Sequence, residues 1–319
     1  MTQAPGITIR RAVPDDAGAI CEISSHIWDG HDYIPNVVDR WVADDTGAFL
    51  VAELDGHVRG YGKLTLHTPL DGWLEGLRVD VGFRRRGLAR ALSCALVDHA
   101  RALGLHTLRF ATSVDNVESI ALNERAGFRR IAGFRYLFAA EREILAVGTP
   151  DGHRLDTADP AVERLTDPAE VAQFVLSSDL VRMSGGLFPG GFVFQEATPE
   201  TVMAIIGRAE CLGIRHPKPD RTLAAVLIVE SSHEGSVDNP GLVIRFLEGE
   251  PSASGALARW TLWYAHSRGI SYIDVSTPCG HPSTPALVEA GFENWHSEVP
   301  ESLPTILVFE YPPEVLRGL

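Results

Sequence analysis

The chain has 319 residues, 45% of them hydrophobic, and a formal net charge of −14. That length exceeds most single cores and points to two domains, while the acidic balance argues against nucleic acid and against an anionic membrane surface as partners. Four cysteines, at 21, 94, 211 and 279, lack any C-x-x-C pairing, and the histidines show no ligand spacing, so neither a disulfide framework nor a metal site is expected.

Ile7–Arg11 reads as a strand, and Pro14-Asp15-Asp16 starts a helix whose apolar stripe is Ala19, Ile20 and Ile23. The pattern breaks from Trp28 to Pro35, and a short helix follows over Val37–Val42. Ala48–Leu54 and Val58–Leu66 flank Asp55-Gly56-His57, a hairpin signal. Trp73–Asp80 is the next strand, in which Leu77 and Val79 alternate with polar residues and Glu75 is expected on their face.

Arg84-Arg85-Arg86-Gly87-Leu88-Ala89 joins that strand to a helix carrying Ala89, Leu92, Leu96 and Ala100 at three- and four-residue spacing and stopping at Gly104. A strand that feeds such a turn into a helix leaves amides without intrahelical partners, and the helix dipole adds partial positive charge there. The turn therefore suits a diphosphate, although a basic triplet before a helix is, taken alone, also an ordinary solvated loop. His106–Thr112 is another strand, Asn116–Ala126 a helix ended by Gly127, and Phe134–Glu141 a closing strand. A mixed sheet with helices around it is an α/β arrangement.

Val147-Gly-Thr-Pro-Asp-Gly-His153 is rich in turn residues, so 146–155 reads as a linker between a domain at 1–145 and another at 156–319. In the second half, Thr222–Val229 and Gly241–Leu247 read as strands, Ala253–Ser267 as a helix ending at Gly269, and Ile270–Val275 as a strand. Ala126-Gly-Phe128 and Ala290-Gly-Phe292 follow helix-ending glycines at nearly the same distance, so the second half repeats the first. Its counterpart of the arginine turn is Glu248-Gly-Glu-Pro-Ser-Ala-Ser-Gly255, whose acids oppose a diphosphate and whose Pro251 removes an amide donor. Pro278-Cys-Gly-His-Pro282 reads as a turn-rich loop with an incidental Cys and His.

Three stretches in order, Ile-Arg-Arg-Ala-Val-Pro-Asp-Asp-Ala at 9–17, Arg84-x-x-Gly87-x-Ala89, and Asn116-x-x-Ser-x-x-Leu122-Asn-Glu-Arg-Ala-Gly127-Phe128, make residues 7 to 145 resemble the GCN5-related N-acetyltransferase (GNAT) superfamily. The fold implied is two tandem GNAT-like domains, each a mixed, mostly antiparallel sheet flanked by helices, the C-terminal copy degenerate. The resemblance implies acetyl-CoA as co-substrate and no metal. It places Leu77, Arg78 and Val79 along the pantetheine arm and Arg84, Arg85, Arg86, Gly87, Leu88 and Ala89 around the diphosphate. Asn116 and Asn123 fall beside the cofactor. Leu77 and Val79 equally suit core packing, and Asn116 a helix N-cap.

Glu75 is the candidate base, close to where the thioester would sit, with an exposed strand carboxylate as the alternative. The resemblance makes the Val79 N–H the donor to the carbonyl oxygen. Many relatives carry a tyrosine as general acid where this chain has Asn123. A thiol with a pKa of about 8.5 is already a fair leaving group, and Tyr33 and Tyr136 are candidates to substitute. Acceptor recognition is expected in Trp28–Pro35, where Asp32 would meet an ammonium and Trp28 or Tyr33 would stack, the alternative being a packed loop. Ile27–Pro35 together with Glu75–Val79 is similar to the histidine N-acetyltransferase-like proteins.

The function so implied is transfer of an acetyl group from acetyl-CoA to the primary amine of a small molecule, such as an amino acid. A non-catalytic acyl-CoA sensor and acetylation of protein N-termini or lysines are the alternatives. The second domain is expected not to bind acetyl-CoA but to complete the acceptor pocket, with Leu187–Phe192 as a contact loop or an ordinary turn. Met1–Gly6 has no features of a signal peptide and no run reaches membrane-spanning length, so a cytoplasmic location is expected, with the oligomeric state open.

Overall fold

A computed structural model describes residues 6–30, 32–146, 162–232 and 240–318. The chain begins β1 (Ile7–Arg11), α1 (Ala17–Ser24), α2 (Ile34–Ala43), β2 (Ala48–Leu54), β3 (His57–Thr68), β4 (Asp71–Val79) and α3 (Leu88–Ala102). Next come β5 (Thr107–Ser113), α4 (Val117–Ala126), β6 (Arg129–Ala140), α5 (Glu141–Ala146), β7 (Val162–Arg164), α6 (Pro168–Leu176) and α7 (Asp179–Met183). Then follow β8 (Leu187–Gly190), β9 (Val193–Glu196), α8 (Pro199–Ile206), β10 (Glu210–Arg215), β11 (Leu223–Ser231) and β12 (Gly241–Gly249). The chain closes with α9 (Pro251–Ser267), β13 (Tyr272–Pro278), α10 (Ser283–Ala290), β14 (Glu293–Asn294), β15 (Ile306–Glu310) and α11 (Pro313–Leu316).

Two compact units result, Met1–Ile131 with Val308–Leu319, and Ala132–Leu307. The division falls inside β6 and not at the turn-rich stretch near 146–155, of which 147–155 lies outside the described residues. Backbone pairing is the reason. Phe134–Ala140 find partners on β13, so most of β6 belongs to the second unit.

In the first unit β1, β2, β3 and β4 form an antiparallel run, and β5 joins β4 in parallel after the α3 crossover. One face is covered by α1 and α2, whose Ile20, Ile23, Ile34, Val37, Val38 and Trp41 pack with Phe49, Val51 and Tyr61. α2 starts earlier than the periodicity predicts, at Ile34, because Pro35 fits the first turn, where a missing N–H costs nothing. The opposite face receives α3, with Leu88, Leu92, Leu96, Val97 and Ala100 buried along one stripe.

The second unit repeats this plan. β7, β10, β11, β12 and β13 keep the neighbour order and directions of β1 to β5, the last pair again parallel and joined through α9. β6 adds antiparallel to β13, and β14 pairs with β6. Leu187–Phe192 forms β8 and the turn into β9, an antiparallel hairpin. Among the described residues no helix is long and apolar enough to cross a membrane.

Candidate active site

A bulge in β4 organises the site. Lys63 of β3 lies opposite Glu75 and Tyr61 opposite Arg78, so two β4 residues, Gly76 and Leu77, are matched by Gly62 alone. Residues directly opposite in an antiparallel ladder share a face. Glu75 and Arg78 therefore lie with Lys63 and Tyr61 on the α1–α2 face, whereas Val79 lies opposite Gly60 on the other. A Cβ at Gly60 would meet Val79 and Leu92, and one at Gly62 would meet Leu77 and Leu96, which puts Leu77 and Val79 against α3. Simple alternation puts Glu75 on the Leu77–Val79 face. The extra residue reverses that parity.

Gly76 makes the bulge possible. Its φ is +63°, and a Cβ there would lie 2.6 Å from the Trp41 ring of α2. Only glycine meets both demands at low cost. β4 and β5 part just before the bulge: they pair at Asp71–Thr107, Gly72–Leu108 and Trp73–Arg109. The closed end is pinned by Asp71, which bonds the Thr107 hydroxyl and the Arg109 guanidinium, and Arg109 reaches Glu310 at 2.6 Å. Among the described residues no strand pairs with the β5-facing edge of β4 from Leu74 to Val79.

At the open end Asp80 accepts the Gly82 amide at 3.0 Å and pairs with Arg59 at 3.0 Å, fixing the 3-10 turn Val81–Phe83. Arg59 and Arg86 stack on the Phe83 ring at 4.0 and 5.0 Å. Arg84, Arg85, Arg86 and Gly87 are exposed, Ala89 is half-exposed and Leu88 is buried. Gly87, at φ +91°, is the N-cap of α3 and has no capping side chain; its carbonyl accepts the Ala91 amide at 2.9 Å. The first α3 amides thus point out of an uncapped, cationic turn, which fits a diphosphate.

Glu75 is partly buried and accepts the Thr65 hydroxyl at 2.5 Å. Burial raises its carboxyl above the ordinary value, against the pull of the Thr65 bond and the charges of Lys63 and Arg40. Lys63, 1% exposed, bonds Asp44 and, at 2.9 Å, the Leu64 carbonyl. Burial lowers its ammonium despite Asp44.

Asp32 is engaged internally. It is 7% exposed and takes two bonds from Arg78, at 3.1 and 3.2 Å. Burial works against the Arg78 charge, yet Asp32 more than offsets this and holds the guanidinium above its ordinary value. The expected ammonium receptor is thus the partner of Arg78, because the bulge turns that side chain toward the loop. Trp28, 62% exposed, lies over the Arg78 guanidinium at 4.6 Å, and Tyr33 packs edge-on against Trp41 at 6.0 Å.

Asn116 caps α4, accepting the Ser119 amide at 3.2 Å. Asn123 is 5% exposed and turned inward, donating to the Ser119 carbonyl at 3.0 Å and accepting from Ser93 of α3 at 3.5 Å. It joins α4 to α3. Tyr136 belongs to the second unit, bonded to the Tyr272 hydroxyl at 2.8 Å.

The second unit keeps the bulge and fills the space beside it. Ile228 pairs with Phe246 and Val229 with Ile244, leaving Arg245 as the extra residue. Arg245 is fully buried, with Gln195 at 2.9 Å and Glu230 at 3.3 Å, and burial pushes its guanidinium down to about 10 against the Glu230 charge. The β8–β9 turn sits on it so closely that a Cβ at Gly190 would lie 1.9 Å from Arg245 and one at Gly191 2.6 Å from Asp274. Glu248 caps α7, accepting the Asp179 and Leu180 amides at 2.9 and 2.6 Å, and also meets His281 at 3.1 Å. His281 is therefore structural, its Nδ1 2.6 Å from the Ser283 hydroxyl. Among the described residues no three His, Cys, Asp or Glu side chains converge as a metal set.

The sheet thus leaves a strand edge open beside a bulge, with an uncapped cationic turn at its open end, an arrangement that suits an extended ligand ending in an anion. The model of the acetyltransferase (GNAT) family matches residues 19–128. An aminoglycoside N(6')-acetyltransferase type 1 of Stenotrophomonas maltophilia is 30% identical over 141 residues, 40% of this chain and 92% of that protein. The mycothiol acetyltransferase of Sanguibacter keddieii is 32% identical over 143 residues, covering 40% of this chain and 45% of its own length. A GCN5-related N-acetyltransferase structure from Sphaerobacter thermophilus covers 97% of this chain and 96% of its own at a TM-score of 0.63 and 12% identity, a likeness of fold across both units. The chain belongs to the GNAT family. It is an acetyl-CoA-dependent N-acetyltransferase, which sets aside the non-catalytic sensor.

Proposed function

We propose that the first unit moves the acetyl group of acetyl-CoA to the primary amine of a small molecule, with Glu75 taking the ammonium proton. The observation that carries this reading is the unpaired β4 edge from Leu74 to Val79, which opens beside Glu75 and leads to the Arg84–Ala89 turn. Along that edge the backbone of Leu77, Arg78 and Val79 meets the pantetheine arm. The Val79 N–H donates to the thioester oxygen as it gains charge. Arg84, Arg85 and Arg86, with the amides of Gly87, Leu88 and Ala89, hold the diphosphate.

A carboxyl raised by burial is a better match for an ammonium proton than an ordinary one. The neutral amine then forms its C–N bond as the C–S bond breaks; the new amide nitrogen gives up its remaining extra proton to water, and the thiolate leaves to be protonated from water. Asn123, spent on Ser93 and Ser119, plays no part.

The relatives named for aminoglycosides and mycothiol support a small acceptor. A free amino acid such as histidine is the class proposed first, from the likeness of Ile27–Pro35 and Glu75–Val79 to histidine N-acetyltransferase-like proteins. Thiol release from acetyl-CoA is measured with histidine, other amino acids, an aminoglycoside and a lysine peptide. Turnover with a small amine is expected; turnover with the peptide alone would overturn the reading.

A further inference from the structure

We propose that Lys63, fastened by Asp44, is a positioning residue for Glu75: a fixed ammonium on the neighbouring strand that keeps the carboxylate in its proton-accepting form within the sheet. This rests on Glu75 as the base.

A lysine with 1% exposure is costly, and a well-packed apolar side chain at such a place is often no less stable. Its position suits something other than packing. Lys63 is in register directly opposite Glu75, which sets their Cβ atoms about 5 Å apart on one face. Its ammonium cannot swing to solvent, because Asp44 and the Leu64 carbonyl hold it and Gly47 leaves the room, a Cβ there lying 3.0 Å from Nζ. Thr65, next but one on the same strand, holds Glu75 Oε1. The other carboxylate oxygen has no hydrogen bond among the described residues.

The charged and titratable groups around Glu75 are few. β3 supplies Lys63 and Tyr61, the latter bonded to Ser24 at 2.6 Å; α2 supplies Arg40, and the loop after it Asp44. Arg78 on the same face is neutralised by Asp32, and Arg11 of β1 acts on Lys63. Lys63 and Arg40 favour the carboxylate, Asp44 and burial oppose it, and Lys63 is the larger of the two cationic contributions.

The test is the pH profile of kcat at saturating acceptor for Lys63→Met, Glu75→Gln and the wild type. Loss of the nearby positive charge makes Glu75 harder to ionise, so Lys63→Met is expected to move the acid limb upward by about one pH unit. Glu75→Gln is expected to abolish the limb. If Glu75→Gln loses the limb while folded Lys63→Met leaves it in place, the role of Lys63 is overturned and Glu75 stands. A wild-type limb in Glu75→Gln overturns the base itself, and the role of Lys63 with it. Should Lys63→Met fold poorly, Lys63→Met/Asp44→Leu replaces the buried pair with apolar groups. Because Lys63 outweighs Asp44 at Glu75, the limb still rises, though less, and an unmoved limb overturns the proposal.

Discussion

Arg78 grips Asp32 through two bonds, Nε to Oδ2 at 3.1 Å and Nη2 to Oδ1 at 3.2 Å, and so ties β4 to the loop between α1 and α2. The Asp32 side chain is 1% exposed, so truncating it strands a guanidinium in a poorly solvated place. Breaking one partner of a buried pair costs about 3 kcal/mol or more. Asp32→Ala is therefore expected to unfold at clearly lower urea, whereas a surface ammonium receptor would raise the acceptor KM at unchanged stability.

Gly76→Ala tests the bulge. The substitution forces a non-glycine residue to φ +63° and a Cβ to within 2.6 Å of Trp41. A strained conformation of this kind costs about 1–3 kcal/mol before the clash is counted. Lower stability together with loss of acetyl transfer is expected; wild-type denaturation and turnover would mean that the bulge can form without glycine.

Glu75 is expected to cost stability at neutral pH. Its carboxyl is raised in the folded protein above the ordinary value of 4.5, so the folded state holds the proton more tightly than the unfolded chain. The penalty is absent below the unfolded value, grows as pH rises through the window up to the folded one, and is complete above it. Glu75→Gln should match the wild type near the acid end of that window and exceed it at neutral pH, while losing about a hundredfold or more in turnover. Urea midpoints across pH, set beside kcat, check both signs.

Acetyl-CoA is expected to bind once per chain. Gly87 has φ +91° at an uncapped helix start, whereas the second unit offers Pro251 in the first turn of α9 and covers its bulge with the β8–β9 turn. Calorimetry should give one equivalent for the wild type and a much weakened single site for Gly87→Val. Two equivalents would contradict a degenerate second copy.

Glu248 should make the second unit acid-sensitive. Burial raises its carboxyl, but the His281 contact and the Leu180 and Asp179 amides outweigh this and hold it below the ordinary range. Its contribution is present above the unfolded value and is lost as pH falls through the depressed folded one. Glu248→Gln should flatten the acid side of the stability profile without changing acetyl transfer, readable by thermal melts from neutral to acidic pH.

Much of the plan is legible in the chain because it is written locally. Gly87 before an apolar helical stripe, the Asp55-Gly56 hairpin, Asn116 as a cap and Gly127 as a stop each set a backbone conformation that neighbouring residues alone demand. The repeat is visible for the same reason, since each copy must make the same turns to bury the same faces.

The chain by itself determined the order of elements from β1 to β6 and the arginine turn, and it places acids and Pro251 at the second copy's counterpart of that turn. Tertiary structure decided which face Glu75 occupies, because one extra residue in β4, permitted by Gly76 beneath Trp41, reverses an alternation that the sequence shows as regular. It also decided that Asp32 serves Arg78, that Asn123 turns to Ser93 and Ser119, and that most of β6 joins the second unit. Each of these depends on a partner far away in the chain, and periodicity carries no record of which strand or loop will meet a given side chain.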